Sequence, residues 1–335
     1  MKKIICVLLV LVLVLSCIGI SFAYNSDVVI EKKLSSKYET IIDGINFTIS
    51  AYKYDESSCQ EKTAFRTDKN NKEKLSLSGV NELLFELGSD EESVCALSEH
   101  FVEKLRTASE IGSRVQYSLC NEMNVINTNP VNESVCQTLT EIQPNPFENS
   151  SIRIQLFYDR ESGSDTYSYS AVATWKNMPQ IRQTDILGIC VSDSSMIPDS
   201  IAGYYYYTQT VRNSGQVTNT TVFHNVSLFE DTSSEGYLGV CMRVPVPNDS
   251  YDGADDIDIT NSGLTAYIEC DMKVKYPQLV TNLSAAADYT HARFLILPNM
   301  SIALNRNHVS GLSYGGVLLS LQDMWRALVL ITYYP

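Results

Sequence analysis

Two alternating runs constrain this chain more than anything else in it. From Ser151 the sequence reads SIRIQLFYDR, breaks at ESGSDT, and resumes as YSYSAVATWK before NMPQIRQTDILGICV. Ile152, Ile154, Leu156 and Tyr158 fall on one face of the first run, and Tyr167, Tyr169, Ala171, Ala173 and Trp175 on one face of the second. A period of two is what a strand with one buried face requires. The polar break therefore reads as the turn of a hairpin that opens an antiparallel β-domain, with the apolar face ending at Trp175 as the nucleus of its core.

The rest of the carboxy-terminal half repeats this grammar. DILGICVS, YYYYTQTVR, TTVFHNVSLF, GYLGVCMRVPV, LTAYIECDMKVKY, YTHARFLILP, MSIALNR, GGVLLSLQD and RALVLITYYP are strand-length segments separated by Gly, Asn, Asp, Ser and Pro. Their number and spacing predict a mainly β fold with an antiparallel, β-sandwich-like carboxy-terminal domain. Alternation predicts one buried and one wet face per sheet. Upstream, ETIIDGINFTISAYKYD carries an Asp43-Gly44 hairpin turn, and the charged stretch from Asp55 to Lys74 reads as an exposed loop. The period then changes. Leu83, Leu84 and Leu87 form a helical stripe closed by Gly88; Ser89 with Glu92 resembles a capping box for a short second helix; Ser98 opens a third, with Phe101, Val102, Leu105 and Ala108. Such stripes most simply bury one another or dock on a sheet. The reading divides the chain into residues 1–23, a leader; 24–112, a hairpin plus short helices; 113–150, a polar linker; and 151–335, the β-rich domain.

MKKIICVLLVLVLVLSCIGISFA has the charged, apolar and small-x-small layout of a secretory signal peptide. An uncleaved anchor across Ile4–Ala23 and lipidation at Cys17 are its rivals. No later run is long and apolar enough to span a membrane once the leader is removed. The net charge of −14 becomes more negative when Lys2 and Lys3 leave with it. Such a chain repels nucleic acid and anionic lipid, so neither is expected as a partner. The remaining cysteines, Cys59, Cys95, Cys120, Cys136, Cys190, Cys241 and Cys270, are odd in number, widely spaced and free of any CxxC pair. One or two bridges with the remainder as buried thiols fits that spacing. Eight N-x-S/T acceptors, at Asn46, Asn132, Asn149, Asn219, Asn225, Asn248, Asn282 and Asn299, leave glycosylation and simple loop polarity as alternatives.

Motifs that could carry chemistry are few. Gly311-Leu312-Ser313-Tyr314-Gly315 matches the nucleophile-elbow pattern, which would make Ser313 the nucleophile of a secreted hydrolase. No histidine follows it, and a Gly-rich turn between strands accounts for the same residues. His224, His291 and His308 allow a three-histidine metal site by count, but their spacing matches no zinc motif. PNDSYDGADDIDI gathers Asp249, Asp252, Asp256 and Asp258 around Gly253, so calcium is the one candidate cofactor, against a solvated acidic loop. Tyr204 to Tyr207, four consecutive rings, suggest a carbohydrate-binding surface, although tyrosine is also a favoured strand residue.

ATWKNMPQIRQTDILGIC, ELGSDEESVCALSEHFVEKL and YTHARFLILPNMSIAL together resemble uncharacterised secreted β-rich proteins of Gram-positive bacteria. The resemblance implies a leader, a short helical region and a long β-rich portion. It implies no activity and no site residues, and it weighs against N-glycosylation and obligatory disulfides. The expectation is a secreted or cell-surface, non-catalytic β-rich protein in binding, adhesion or envelope structure, with a cell-surface glycan or protein as partner. The alternatives are a hydrolase at Ser313 and a carbohydrate-binding module.

Overall fold

The computed structural model describes residues 32–54, 60–68, 73–120, 150–179, 182–227, 229–234, 237–292, 300–302, 312–314 and 322–332. In chain order the elements are β1 (Lys32–Ile42), β2 (Ile45–Tyr54), β3 (Gln60–Arg66), α1 (Leu77–Glu86), α2 (Glu91–Cys95), α3 (Glu99–Thr107), β4 (Glu110–Cys120), β5 (Ser150–Arg160), β6 (Thr166–Asn177), β7 (Thr184–Ser192) and β8 (Ser194–Met196). There follow β9 (Ala202–Asn213), β10 (Gln216–Asn225), β11 (Phe229–Ser234), β12 (Tyr237–Pro245), β13 (Ser250–Asp252), β14 (Ile257–Val274), β15 (Asn282–Ala292), β16 (Met300–Ile302), β17 (Leu312–Tyr314) and β18 (Gln322–Thr332).

The fold is mainly β and antiparallel, and its sheets are open rather than closed into a barrel. A large sheet runs β1-β2-β3-β4-β5-β6-β14-β9-β10, with β8 and β13 also paired to β14; a second runs β11-β12-β7-β15-β18; β16 and β17 form a short pair. Strands from both halves of the chain thus share the large sheet, joined where β4 pairs with β5 from Glu110 opposite Arg160 to Cys120 opposite Ser150.

The hairpin at Ser151–Lys176 sits at the centre. Ile152, Ile154, Leu156 and Tyr158 of β5 and Tyr167, Tyr169, Ala171, Ala173 and Trp175 of β6 face Leu187, Ile189 and Val191 of β7 and Leu283, Ala285 and Ala287 of β15. This is the core between the two sheets. Alanine has low strand propensity, so β15 begins at Asn282, before the segment marked out by its sequence, where Ala285, Ala286 and Ala287 are buried and paired with β7. At about 1.5–3 kcal/mol per buried large apolar side chain, this layer is the main favourable term for the fold.

The opposite face of the large sheet is also buried. Phe157, Val172 and Tyr267 pack with Phe47 and Ile49 of β2 and with Val80, Leu83, Leu84, Phe101 and Leu105 of α1 and α3. The expectation of one wet face per sheet fails for β5 and β6 because the helices supply partners for the polar residues there. Arg153, 1% exposed, donates to Asp90 Oδ1 at 2.9 Å, to Gln155 Oε1 at 2.8 Å and to Ser93 Oγ. Gln155 Nε2 donates in turn to Ser89 Oγ at 2.8 Å and Ser113 Oγ at 2.5 Å. A buried guanidinium is tolerated only when paired and hydrogen-bonded in this way.

Three local expectations change. The cap of α2 is Asp90, whose side chain accepts from Ser93 N, while Ser89 is drawn away by Gln155. Residues 60–66, read as part of an exposed loop, form β3, with Glu61 and Thr63 buried; Lys32 pairs with Glu61 at 2.6 Å. The acidic stretch after Asn248 is a hairpin of β13 and the start of β14, with its turn at residues 253–256. Other expectations stand: Asp43 and Gly44 take φ of 53° and 76° in the β1–β2 turn, and Ser98 caps α3 by accepting from Phe101 N at 2.9 Å.

Candidate functional site

On β14 the odd residues Tyr267, Glu269 and Asp271 face the helical layer, because their even neighbours Ile268, Cys270 and Met272 are committed to the core between the sheets. Cross-strand pairing sets Tyr204 of β9 opposite Tyr267, and Phe223 of β10 opposite Tyr206. A row of rings results. Tyr204 stacks on Tyr267 with centroids 4.9 Å apart and meets Phe223 on its other side at 4.9 Å. Tyr206 lies 6.5 Å from Tyr204 and 6.4 Å from Phe223, nearly parallel to the latter at 10°. The row runs from buried Tyr267 through half-buried Tyr204 and Tyr206 to Phe223, which is 53% exposed.

Its inner end is polar and anchored. Tyr204 OH donates to the Ala96 carbonyl at 2.6 Å, tying β9 to the turn between α2 and α3. Glu269, 5% exposed, accepts from Ser98 Oγ at 2.6 Å and from Tyr267 OH, and His100 Nδ1 lies 3.3 Å away. One step along β14, Asp271 pairs with Lys104 at 2.5 Å. Burial pushes the phenols of Tyr204 and Tyr267 up, with Glu269 adding to both, so both rings stay neutral donors. Asp159, on the same face of β5, is held far above the usual carboxylate range by burial; Lys104 opposes this, and Asp271, Glu161 and Glu269 add to it.

Flat rings at the surface with a fixed polar border suit recognition. The hydroxyl of Ser98 is spent on Glu269 and on capping α3, and Glu269 is ringed by donors, so the arrangement orders these elements rather than preparing a nucleophile. On the other face of β9, Tyr205 and Tyr207 flank His224 at 4.8 and 5.9 Å.

The residues singled out from sequence are scattered by comparison. Asp249 accepts from Arg182 at 2.5 Å and from Asn261 N at 2.7 Å; Asp252 accepts from Ala254 N at 3.0 Å; Asp256 lies 3.4 Å from Tyr251 OH; Asp258 faces Arg212 at 3.7 Å. Among the described residues no group of three or more His, Cys, Asp or Glu is arranged to hold a metal ion. His224 and His291 belong to different sheets, and His308 lies outside the described residues. Ser313 stands opposite Ser301 in the β16–β17 pair. Tyr204 to Tyr207 do divide between faces as strand geometry demands. The alternation Tyr267, Glu269, Asp271 was readable in TAYIECDMK but carried no signal of the helix that completes it.

Among the described residues no helix is long and apolar enough to cross a membrane. No family model matches the chain, and no curated protein matches it in sequence. Solved structures that align with it include the collagen-binding subdomain of the Enterococcus faecalis surface protein ACE, at 8% identity and a TM-score of 0.21 over 50% of this chain and 87% of that one. A pore-forming protein aligns at 6% identity and 0.22 over 67% and 93%. The membrane-inserted Clostridium perfringens NetB toxin aligns at 6% identity and 0.17 over 90% and 96%. Scores this low carry no argument about function.

Proposed function

We propose that this protein is a secreted or cell-surface binding protein, non-catalytic, acting in adhesion or envelope structure, and that its ligand is a glycan seated on Tyr204, Tyr206 and Phe223. The observation that carries the reading is the stacked, outward-running aromatic row, whose last member is solvent-exposed on a strongly acidic chain. Sugar rings present apolar faces that stack on such rings, while their hydroxyls bond a polar border. The leader expected at residues 1–23, which lie outside the described residues, supports the location.

The test is a broad glycan array with the wild type, Phe223→Ala and Tyr206→Ala. Wild-type binding that falls at least tenfold in either variant, about 1.4 kcal/mol, is expected. An array blank for the wild type, or full binding by both variants, ends the proposal.

A further inference from the structure

The two edges of the large sheet are built differently. β1, at one edge, carries Lys32, Lys33, Lys37 and Glu39 and is interrupted by a register shift between Leu34 and Ser36. Charges and bulges are the ordinary means of stopping an edge from pairing with another chain. β10, at the other edge, has none of them. Its sequence QVTNTTVFHN contains no Lys, Arg, Asp, Glu, Pro or Gly, and its register against β9 is unbroken over all ten residues. Among the described residues it pairs only with β9. Most of it is exposed, including Val217 at 59% and Phe223 at 53%.

The free hydrogen-bonding groups follow from the turn. Ser214 and Gly215, with φ of 49° and 84°, form a two-residue loop of the type that closes on a hydrogen-bonded pair, here Asn213 and Gln216. Pairs alternate along an antiparallel ladder, so the even residues of β10 bond to β9. The N–H and C=O groups of Val217, Asn219, Thr221, Phe223 and Asn225 therefore point outward. A partner must present its own outward groups to these positions.

We propose that β10 pairs antiparallel with β10 of a second copy of this chain, extending the large sheet across a two-fold axis at Thr220. In that register Val217 of each copy stands opposite Phe223 of the other, Asn219 opposite Thr221, and Thr220 opposite its own copy. Odd residues meet odd residues, so the outward groups of Val217, Asn219, Thr221 and Phe223 each find a partner. The two exposed apolar side chains lie side by side on one face in an aromatic and β-branched pair, a favoured cross-strand combination that leaves the upper face of Phe223 open. Nothing on the strand opposes the approach electrostatically, although the chain as a whole carries −14. The occupant is a second copy because the strand complements itself about one residue and the charged edge β1 does not complement it.

The test uses purified protein from a host that adds no N-linked sugar, since a glycan on Asn219 would stand in the interface. Light scattering should give twice the chain mass. Thr220→Cys should form a disulfide-linked dimer under mild oxidation, because residues facing their own copy across a non-hydrogen-bonded pair lie within disulfide reach. Val222→Cys, on the same face of the same strand, should not. Thr220→Lys, setting two ammonium groups opposite each other, should yield a monomer; it points away from Tyr204 and Phe223, so glycan binding per site should survive. A wild-type monomer at 100 µM overturns the proposal, whether the β10 amides exchange freely or are protected by another segment. So does a dimer that resists Thr220→Lys, or equal cross-linking by Thr220→Cys and Val222→Cys.

Discussion

Glu110 shows what a single buried carboxyl does to the molecule. It opens β4, an interior strand of the large sheet, between Phe65 of β3 and Arg160 of β5, and burial pushes its carboxyl from the ordinary 4.5 up to about 7. Arg160, Lys32 and a hydrogen bond from Tyr158 pull the other way, and Glu61 adds to the rise. A carboxyl that holds its proton more tightly when folded contributes stability that is whole below the unfolded value and lost as pH climbs through the folded one. The window is therefore pH 4.5 to 7. At roughly 1.4 kcal/mol per pKa unit, the loss is about 3 kcal/mol. Glu110→Gln, neutral at every pH, should gain about that much on the wild type between pH 5 and pH 8 in urea unfolding. A wild-type to variant difference that does not move with pH would exclude this account.

At the scale of elements, α3 is held by one hydroxyl with two duties. Ser98 Oγ accepts from Phe101 N and donates to Glu269, so the residue that starts the helix also docks it on β14. Losing a cap costs about 1 kcal/mol and losing a bond to a buried carboxylate about 1.5–3. Ser98→Ala should lower stability by about 2–4 kcal/mol, and Ser98→Thr, which keeps the hydroxyl, by less than half of that; equal losses in thermal melts would show that the hydroxyl does not hold the helix. The cap was legible in the sequence, and so was the hairpin at Ser151–Lys176, because both depend on neighbours within a few residues. Glu269 was not, since its partners Ser98 and His100 are about 170 positions away. β3 was hidden for a similar reason: Glu61 looks like a solvent residue until Lys32 comes to lie beside it. The α2 cap failed by one position because Gln155, on a distant strand, competes for Ser89. Of the candidate site, the tyrosine run was visible and its division between two faces could be derived. The stacking of Tyr204 on Tyr267 required the pairing of β9 with β14.

At the scale of the molecule, the two cores share a backbone. Leu156, Tyr158, Ala171 and Ala173 point into the core between the sheets, and their immediate neighbours Phe157 and Val172 point into the helical layer. Neither layer can lose its packing without disturbing strands that the other depends on. Cooperativity of this kind is testable with Leu105→Ala, a fully buried site in α3 on the helical side. The truncation should cost about 2–5 kcal/mol. Trp175 reports from the other side of the sheet, where its Nε1 donates to Tyr289 OH at 2.9 Å and that hydroxyl donates to Asp185 at 2.7 Å. In a Trp325→Phe background, so that Trp175 is the sole reporter, the urea midpoint read by tryptophan fluorescence should fall with that of the helical amides read by hydrogen exchange, at unchanged slope, since the slope follows the surface exposed. If the helical amides open early while the fluorescence midpoint stays in place, the layers unfold independently. The large sheet would then be stable with one face bare, which the buried Arg153 and Gln155 argue against: without α2, their partners Asp90, Ser89 and Ser93 leave with it.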